Sequence, residues 1–276
     1  MSLVMDDIKY FVTVSETLNI TRASEIIGIS QPALSYAIKR LEGELGGDLL
    51  IRLKNGIQLT KLGEEFKTRS RRLLYEWEQA RNLANPDSGL IQGTYTIALH
   101  ASVALYTLQS FMPELQAEFP DLNFNFVHGL SREMTEKVIS WEADFGLVVN
   151  SIRHPDLVIS ELCHDEVTIF HAKNPQEKLI YDENLAQSQY ILKKVGKKTN
   201  FRSVMSSANL EVVAKLASLG LGYGLLPTRV ASQYKHLKKL EGAPVFKDEI
   251  SLVYRPEKHN NPISKKIIQI IKASQF

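Results

Sequence analysis

The stretch ISQPALSYAIKRLEGELGGDLLIRL, residues 29–53, decides how the first part of the chain folds. Ser30 stands where a helix N-cap is expected, and Pro32 falls in the first turn, where backbone N–H groups have no intrahelical partner to lose. Leu34, Ile38, Leu41 and Leu45 recur at spacings of four, three and four, which gathers them on one buried face. Gln31, Pro32, Ser35, Tyr36 and Lys39 are left facing outward. Upstream, residues 21–27 read as a short amphipathic helix with Thr21 as its expected cap and Gly28 as the left-handed residue after its end. Two helices meet at a tight turn, and the second exposes an amide, hydroxyls and a phenol on its leading turn. Those groups suit base edges in a DNA major groove.

Working outward, Ile8, Phe11, Val12, Ser15 and Leu18 predict a preceding helix over residues 6–18, capped by Asp6 or Asp7. After Gly46-Gly47, the run LLIRLKNGIQLT carries Asn55-Gly56, a two-residue hairpin signal between extended segments. A helix-turn-helix followed by a hairpin is a winged helix. Thr60 can cap a long helix reaching about Ala84, with Glu64 and Glu65 complementing its dipole. Leu62, Phe66, Leu73, Trp77, Ala80 and Ala84 lie along one stripe of that helix, while Lys67, Arg69, Arg71 and Arg72 occupy other faces. A single apolar seam points to a partner helix, the alternative being packing on the helix's own domain. Asn85-Pro86-Asp87-Ser88-Gly89 then reads as a linker.

Beyond it, strands and helices alternate. Strands are predicted at Thr94–Leu99, Leu122–Val127 and Asp144–Val149, with helices at Leu105–Phe119, kinked or restarted at Pro113, and Glu133–Ser140. This β-α-β-α-β order implies a parallel sheet. Val158–His171 follows as a long strand crossing into another lobe, then a helix at Leu210–Leu219 capped by Asn209. A strand at Leu221–Leu226, a helix from Pro227 to Tyr234, a strand at Ser251–Tyr254 and an amphipathic helix at Ile263–Ile271 complete the pattern.

The chain has 276 residues, with 33 Lys and Arg against 31 Asp and Glu, so bulk charge neither demands nor forbids a polyanionic partner. Cys163 is the only cysteine, which excludes an intrachain disulfide, and no zinc-type Cys/His spacing occurs. No run approaches the apolar length of a membrane span, and the N-terminus has acids where a signal peptide needs basic residues. A cytoplasmic protein without metal or cofactor is expected. Gly220-Leu221-Gly222-Tyr223-Gly224 lacks dinucleotide-binding spacing, and neither a nucleophile elbow nor a phosphate-binding loop is present. Cys163, His164 and His171 share one extended run on which Cys163 and His164 face opposite ways, so no catalytic residue is assigned. Oxidation of Cys163 to a sulfenic acid stays open.

With these residues in view, the chain resembles a LysR-type transcriptional regulator. The resemblance rests on Tyr10-Phe11, Thr21-Arg22-Ala23-Ser24, Ser30-Gln31-Pro32-Ala33-Leu34-Ser35, Ile38-Lys39-Arg40-Leu41-Glu42, Leu45-Gly46, Arg52, Leu59-Thr60 and Gly63. In the second part it rests on Gly93, Met112-Pro113, Phe119-Pro120, Asp144, Leu219-Gly220-Leu221-Gly222 and Leu226-Pro227. It implies an α/β effector domain of the periplasmic-binding-protein type, with two lobes and a small-molecule cleft between them. It also implies homodimers through the long helix, often paired into homotetramers on promoter DNA. Two departures stand out. The family usually carries Arg-Gln where this chain has Tyr36-Ala37, and a phenol offers one hydroxyl and a ring in place of a guanidinium that reads guanine bidentately, so base preference there is left open. Between Tyr190 and Asn209 the family fits a strand, a helix and a strand, whereas this stretch reads as a basic loop and implies a thinner second lobe.

Residues 1–60 are therefore expected to form the winged helix-turn-helix, 61–89 a dimerising helix and hinge, and 90–276 the effector domain. Lobe I would take about 90–162 and 257–276, and lobe II about 163–256. Gln31, Pro32, Ser35, Tyr36 and Lys39 are assigned to the groove of double-stranded DNA, and Arg52 and Lys54 to phosphates from the wing. Arg40 reads equally as solvated or ion-paired. Leu62, Phe66, Leu73 and Trp77 are assigned to dimerisation. Strand-to-helix junctions suggest effector contacts at His100, Ala101, Ser102, His128, Ser131, Asn150, Phe201 and Arg202, Ser102 reading equally as a helix cap. Lys193, Lys194, Lys197 and Lys198 read as a solvated loop, with DNA or acidic ligand groups as the alternative. Contact with RNA polymerase is left open. Two other functions remain: a ligand-independent DNA-organising protein, and an enzyme with an appended winged helix using His100, His128 and Asp144 for proton transfer.

Overall fold

The computed structural model describes residues 5–53, 56–83, 93–195, 201 and 203–276. The chain divides into two compact units, one of Met1–Gly89 with Ser140–Glu142 and one of Leu90–Ile139 with Ala143–Phe276.

The first unit packs helices α1 (Met5–Thr17), α2 (Ile20–Ile27) and α3 (Gln31–Leu45) around Ile8, Phe11, Val14, Leu34, Ile38 and Leu41. Asn19, not Thr21, caps α2, its Oδ1 accepting the Arg22 N–H at 3.0 Å. Starting one residue earlier puts Ile20 in the core. Gly28 takes φ 78° after α2, and the Ser30 hydroxyl accepts the Ala33 N–H at 3.3 Å to start α3. Leu45, expected on the buried face, is exposed because it is the last residue of α3, past the end of the packed stripe. Leu18 also lies outside its expected helix, exposed at φ 49° in the turn after α1, where its carbonyl accepts the Ile57 N–H at 3.2 Å.

The wing pairs β1 (Leu50–Leu53) with β2 (Gly56–Leu59) from Leu50↔Leu59 to Leu53↔Gly56. That register puts Gly56 inside β2; positions 54 and 55 lie outside the described residues. Helix α4 (Lys61–Leu83) starts at Thr60, whose Oγ1 accepts the Gly63 N–H at 2.9 Å and donates to the Asp48 carbonyl at 2.7 Å. A Cβ at position 63 would run into the Leu49 carbonyl, so this close approach needs glycine. The apolar stripe of α4 splits in two. Phe66 turns into its own unit, its ring 5.3 Å from that of Phe11, while Leu62, Leu73 and Trp77 stay exposed. Ala84 and the linker at 85–89 lie outside the described residues.

The second unit is one nine-stranded sheet flanked by helices. In chain order it contains β3 (Gly93–Leu99), α5 (Ala101–Glu118), β4 (Leu122–His128), α6 (Ser131–Ile139), β5 (Phe145–Val149) and β6 (Val158–His171). Then come β7 (Lys178–Tyr181), α7 (Ala186–Val195), β8 (Ser203–Ser206), α8 (Leu210–Ser218), β9 (Tyr223–Pro227) and α9 (Thr228–Ser232). The chain closes with β10 (Lys238–Lys239), β11 (Phe246–Tyr254), a 3-10 turn at Pro256–Asn260 and α10 (Pro262–Ala273). The strand order is β4-β3-β5-β11-β6-β9-β7-β8, with β10 on β6. β3 runs parallel to both β4 and β5, as the alternation implied. β6 and β11 lie antiparallel and join the two lobes, β11 passing to β5 and β6 to β9. A register shift between Ile250 and Ser251 interrupts their ladder. Among the described residues no helix is long and apolar enough to cross a membrane.

Residues 190–209 are not only the expected loop: they hold the end of α7 and the whole of β8, and β8 pairs in parallel with β7, which lies before that stretch. β7 escaped notice because Leu179 and Ile180 are both buried, so no alternation shows. α7 buries Ser188 beside Ile191 and Val195, which breaks its apolar stripe. Lys193 and Lys194 sit in the last turn of α7, where cations complement the dipole; Lys197 and Lys198 lie outside the described residues. α5 also starts at Ala101, not Leu105, and runs unbroken past Pro113.

Candidate nucleic-acid interface and ligand cavity

On α3 the leading turn is free of the core. Gln31, Pro32 and Lys39 are exposed, Tyr36 is 68% exposed, and Ser35 is half-buried. Arg40 leaves this face: its Nε and Nη2 donate to the two carboxylate oxygens of buried Asp7 at 2.7 and 2.6 Å, fixing α3 to α1. Its guanidinium also sits 5.8 Å from the centre of the Tyr36 ring, which steadies the phenol from behind. Glu42 Oε1 accepts the N–H groups of Leu49 and Leu50 at 2.9 and 3.1 Å, tying α3 to the wing. Arg52 is exposed on β1; Lys54 lies outside the described residues. The result is a rigid polar helix start beside a strand carrying an exposed cation, the shape of a groove reader with a phosphate contact.

In the second unit a cavity of about 710 Å³ opens beside the two crossing strands. Of the residues expected at an effector site, His100, Ser102, Ser131 and Asn150 line it. Ala101 and His128 do not, Phe201 packs its ring 5.4 Å from Tyr223, and Arg202 lies outside the described residues. The α5 cap is His100, whose Nδ1 accepts the Ser102 N–H at 3.3 Å, so Ser102 is not the cap. Burial pushes the His100 imidazole below its ordinary pKa, against the Asp182 carboxylate and with a smaller push from His128, and favours the neutral ring. Ser131 Oγ accepts the Val149 N–H at 3.0 Å. Asn150 takes φ 53°, a conformation asparagine tolerates, and is held by a 2.8 Å bond from its N–H to the Glu249 carbonyl.

Sequence reasoning missed Tyr106, Asp165, Gln187 and Asp248, which also line the cavity. Burial pushes the Asp248 carboxyl up to about 6, against hydrogen bonds from Asn150 and Gln187 that favour its ionised form. Burial raises Asp165 and Tyr106 as well. Burial raises the Cys163 thiol as well, which disfavours the thiolate.

The constellation considered for proton-transfer chemistry is not assembled. His128 pairs opposite Leu99, next to His100, at the carboxyl ends of β3 and β4. Asp144 sits at the other end of the sheet, accepting the Thr96 N–H at 2.7 Å and the Lys258 ammonium at 2.5 Å. One group of possible metal ligands occurs among the described residues: Glu161, His164 and Glu249 offer atoms within 4.8 Å of one another. The ladder shift near Ile250 gathers Glu161 onto the face of His164, an odd spacing that sequence alternation would place on opposite faces.

Comparison with known proteins matches two family models. Residues 5–64 match the bacterial regulatory helix-turn-helix protein, lysR family, and residues 88–275 match the LysR substrate binding domain. The HTH-type transcriptional regulator CysL of Bacillus subtilis is 31% identical over 164 residues, covering 59% of this chain and 55% of CysL. The chain spans about half the length of the curated relatives it matches at this level. A full-length OxyR variant of Pseudomonas aeruginosa shares the fold at a TM-score of 0.75 and 18% identity, over 99% of this chain and 94% of that one. Full-length CbnR complexed with its target DNA does so at 0.61 and 19%, over 98% and 99%.

Proposed function

This chain belongs to the LysR family of bacterial helix-turn-helix regulatory proteins, and from that premise we propose that it controls transcription by binding promoter DNA in response to a small molecule. The observation that carries the reading is the exposed polar start of α3, held rigid by Arg40 and Glu42 beside the Arg52 strand. Residues 1–60 read DNA, 61–89 join two copies through Leu62, Leu73 and Trp77, and 90–276 hold the effector in the cavity beside β6 and β11. The inward turn of Phe66 leaves it the smaller share of that contact. The protein acts by binding and not by catalysis, works in the cytoplasm as a homodimer or paired dimers, and meets RNA polymerase at the promoter. Effector occupancy shifts the arrangement of copies on DNA only through its differential affinity for two assemblies.

The test separates two kinds of contact. Tyr36→Ala is expected to change base preference at one step of the site, with a cost of about 1–3 kcal/mol on the preferred sequence. Arg52→Ala is expected to weaken all duplexes alike and to lower the slope of log affinity against log salt by about one. Fluorescence anisotropy over a salt series and a panel of single-step site variants measures both. Unchanged sequence preference in Tyr36→Ala together with an unchanged slope in Arg52→Ala would remove the assignment.

A further inference from the structure

The floor of the cavity carries two carboxylates that the fold sets face to face. Asp165 of β6 and Asp248 of β11 are direct partners in the antiparallel ladder, 7% and 4% exposed, and both line the cavity. Like charges directly opposite one another destabilise a sheet, and buried charges ordinarily come with a counter-ion. Among the described residues no cation forms a salt bridge or a side-chain hydrogen bond with either carboxylate. Asp248 is held by amides: Asn150 Nδ2 donates to Oδ1 at 2.7 Å, and Gln187 Nε2 donates to Oδ1 and Oδ2 at 2.9 and 3.1 Å. Asp165 accepts backbone N–H groups, of Glu166 at 2.8 Å and Arg229 at 3.3 Å. The nearby Arg229 guanidinium is directed elsewhere, onto the His164 carbonyl at 3.3 Å and over the Tyr106 ring at 5.4 Å. Two acids thus face one partly diverted cation, and each carboxylate keeps acceptor sites free for a donor in the cavity.

We propose that this pair is the subsite for a positively charged nitrogen, so that the effector is a small molecule bearing an ammonium or amidinium group. The amides of Asn150 and Gln187 orient Asp248 without neutralising it, which leaves the charge to be met by the ligand. Val103, Leu225 and Ile250 give the same cavity an apolar wall for the ligand's carbon frame. Burial raises both carboxyls above their ordinary range, in keeping with a pair that lacks its counter-charge. The proposal rests on the reading of this cavity as the effector site.

The experiment is titration calorimetry of the full chain against matched pairs of alkyl and aryl amines and their isosteric carboxylates, spanning about four to twelve heavy atoms. Amines are expected to bind at least tenfold tighter than their carboxylate partners. Asp248→Asn and Asp165→Asn are each expected to erase that preference, with a thermal melt confirming the fold of both variants. Carboxylates binding better than amines, or a preference for amines that survives in both variants, would overturn the proposal while leaving the effector reading in place. Binding of neither class would contradict the effector reading itself, and the proposal with it.

Discussion

Lys258→Ala is expected to lower the stability of the second unit by about 2–4 kcal/mol, the largest loss expected from any single substitution considered for this chain. Lys258 is 1% exposed in the 3-10 turn before α10, and its ammonium meets the Asp144 carboxylate at 2.5 Å. Burial alone pushes the lysine down from its ordinary pKa, and Asp144 opposes that shift. Removing the cation leaves the carboxylate to the Thr96 N–H without its counter-charge, and it also empties the space of three buried methylenes. The loss is held below the upper range for buried pairs because Asp144 retains 21% side-chain exposure. A melting shift of roughly 5–15 °C follows for a unit of this size. Replacing both partners, Asp144→Asn with Lys258→Met, is expected to recover most of the loss, because no charge is then left alone. Urea denaturation of the full chain measures each variant. A double variant as unstable as Lys258→Ala would show that volume, not the uncompensated carboxylate, sets the cost.

Asp248→Asn is expected to do the opposite at neutral pH. The carboxyl sits at about 6 in the fold against 3.8 when free, so the folded state holds its proton more tightly than the unfolded state does. The stability this group contributes is complete below about pH 4 and is lost as pH rises through 6. Two pKa units at about 1.4 kcal/mol each make the deficit roughly 2–3 kcal/mol at pH 7.5. The raised carboxyl of Asp165 acts in the same direction. An amide at position 248 removes the ionisation, so the variant should be more stable than wild type at pH 7.5 and level with it at pH 4. Thermal melts at the two pH values make the comparison. Equal destabilisation at both would mean that Asp248 is held by its hydrogen bonds and carries no ionisation cost. A stabilising change at a ligand subsite is the pattern of a protein that keeps a costly charge for recognition.

The parts legible in the sequence were those written in local spacing. Leu34, Ile38 and Leu41 announced α3 by period, Ser30 and Asn209 announced helix starts by a side-chain acceptor two or three residues before an N–H, and Gly28 marked a helix end. His100, Ser131 and Asn150 could be placed because the carboxyl end of a parallel strand is itself a local feature. Tertiary pairings were not legible. The Arg40–Asp7 bond depends on how α3 crosses α1, and the facing of Asp165 with Asp248 depends on the register of two strands far apart in the chain. β7 and α7 were hidden for a different reason: a doubly buried strand and a helix with a serine on its packed face show neither period clearly.

The central claim is that the polar start of α3 enters the major groove of a specific duplex. Replacing Tyr36 by the photoreactive p-benzoylphenylalanine, which suits a side chain that is 68% exposed, and irradiating the full chain with a duplex selected from a random pool tests this contact. The expected result is a crosslink to a base at one defined step of the selected site, displaced by unlabelled specific duplex and not by unrelated sequence. Retained specific binding with no crosslink from position 36, or a crosslink spread evenly over unrelated DNA, would contradict it.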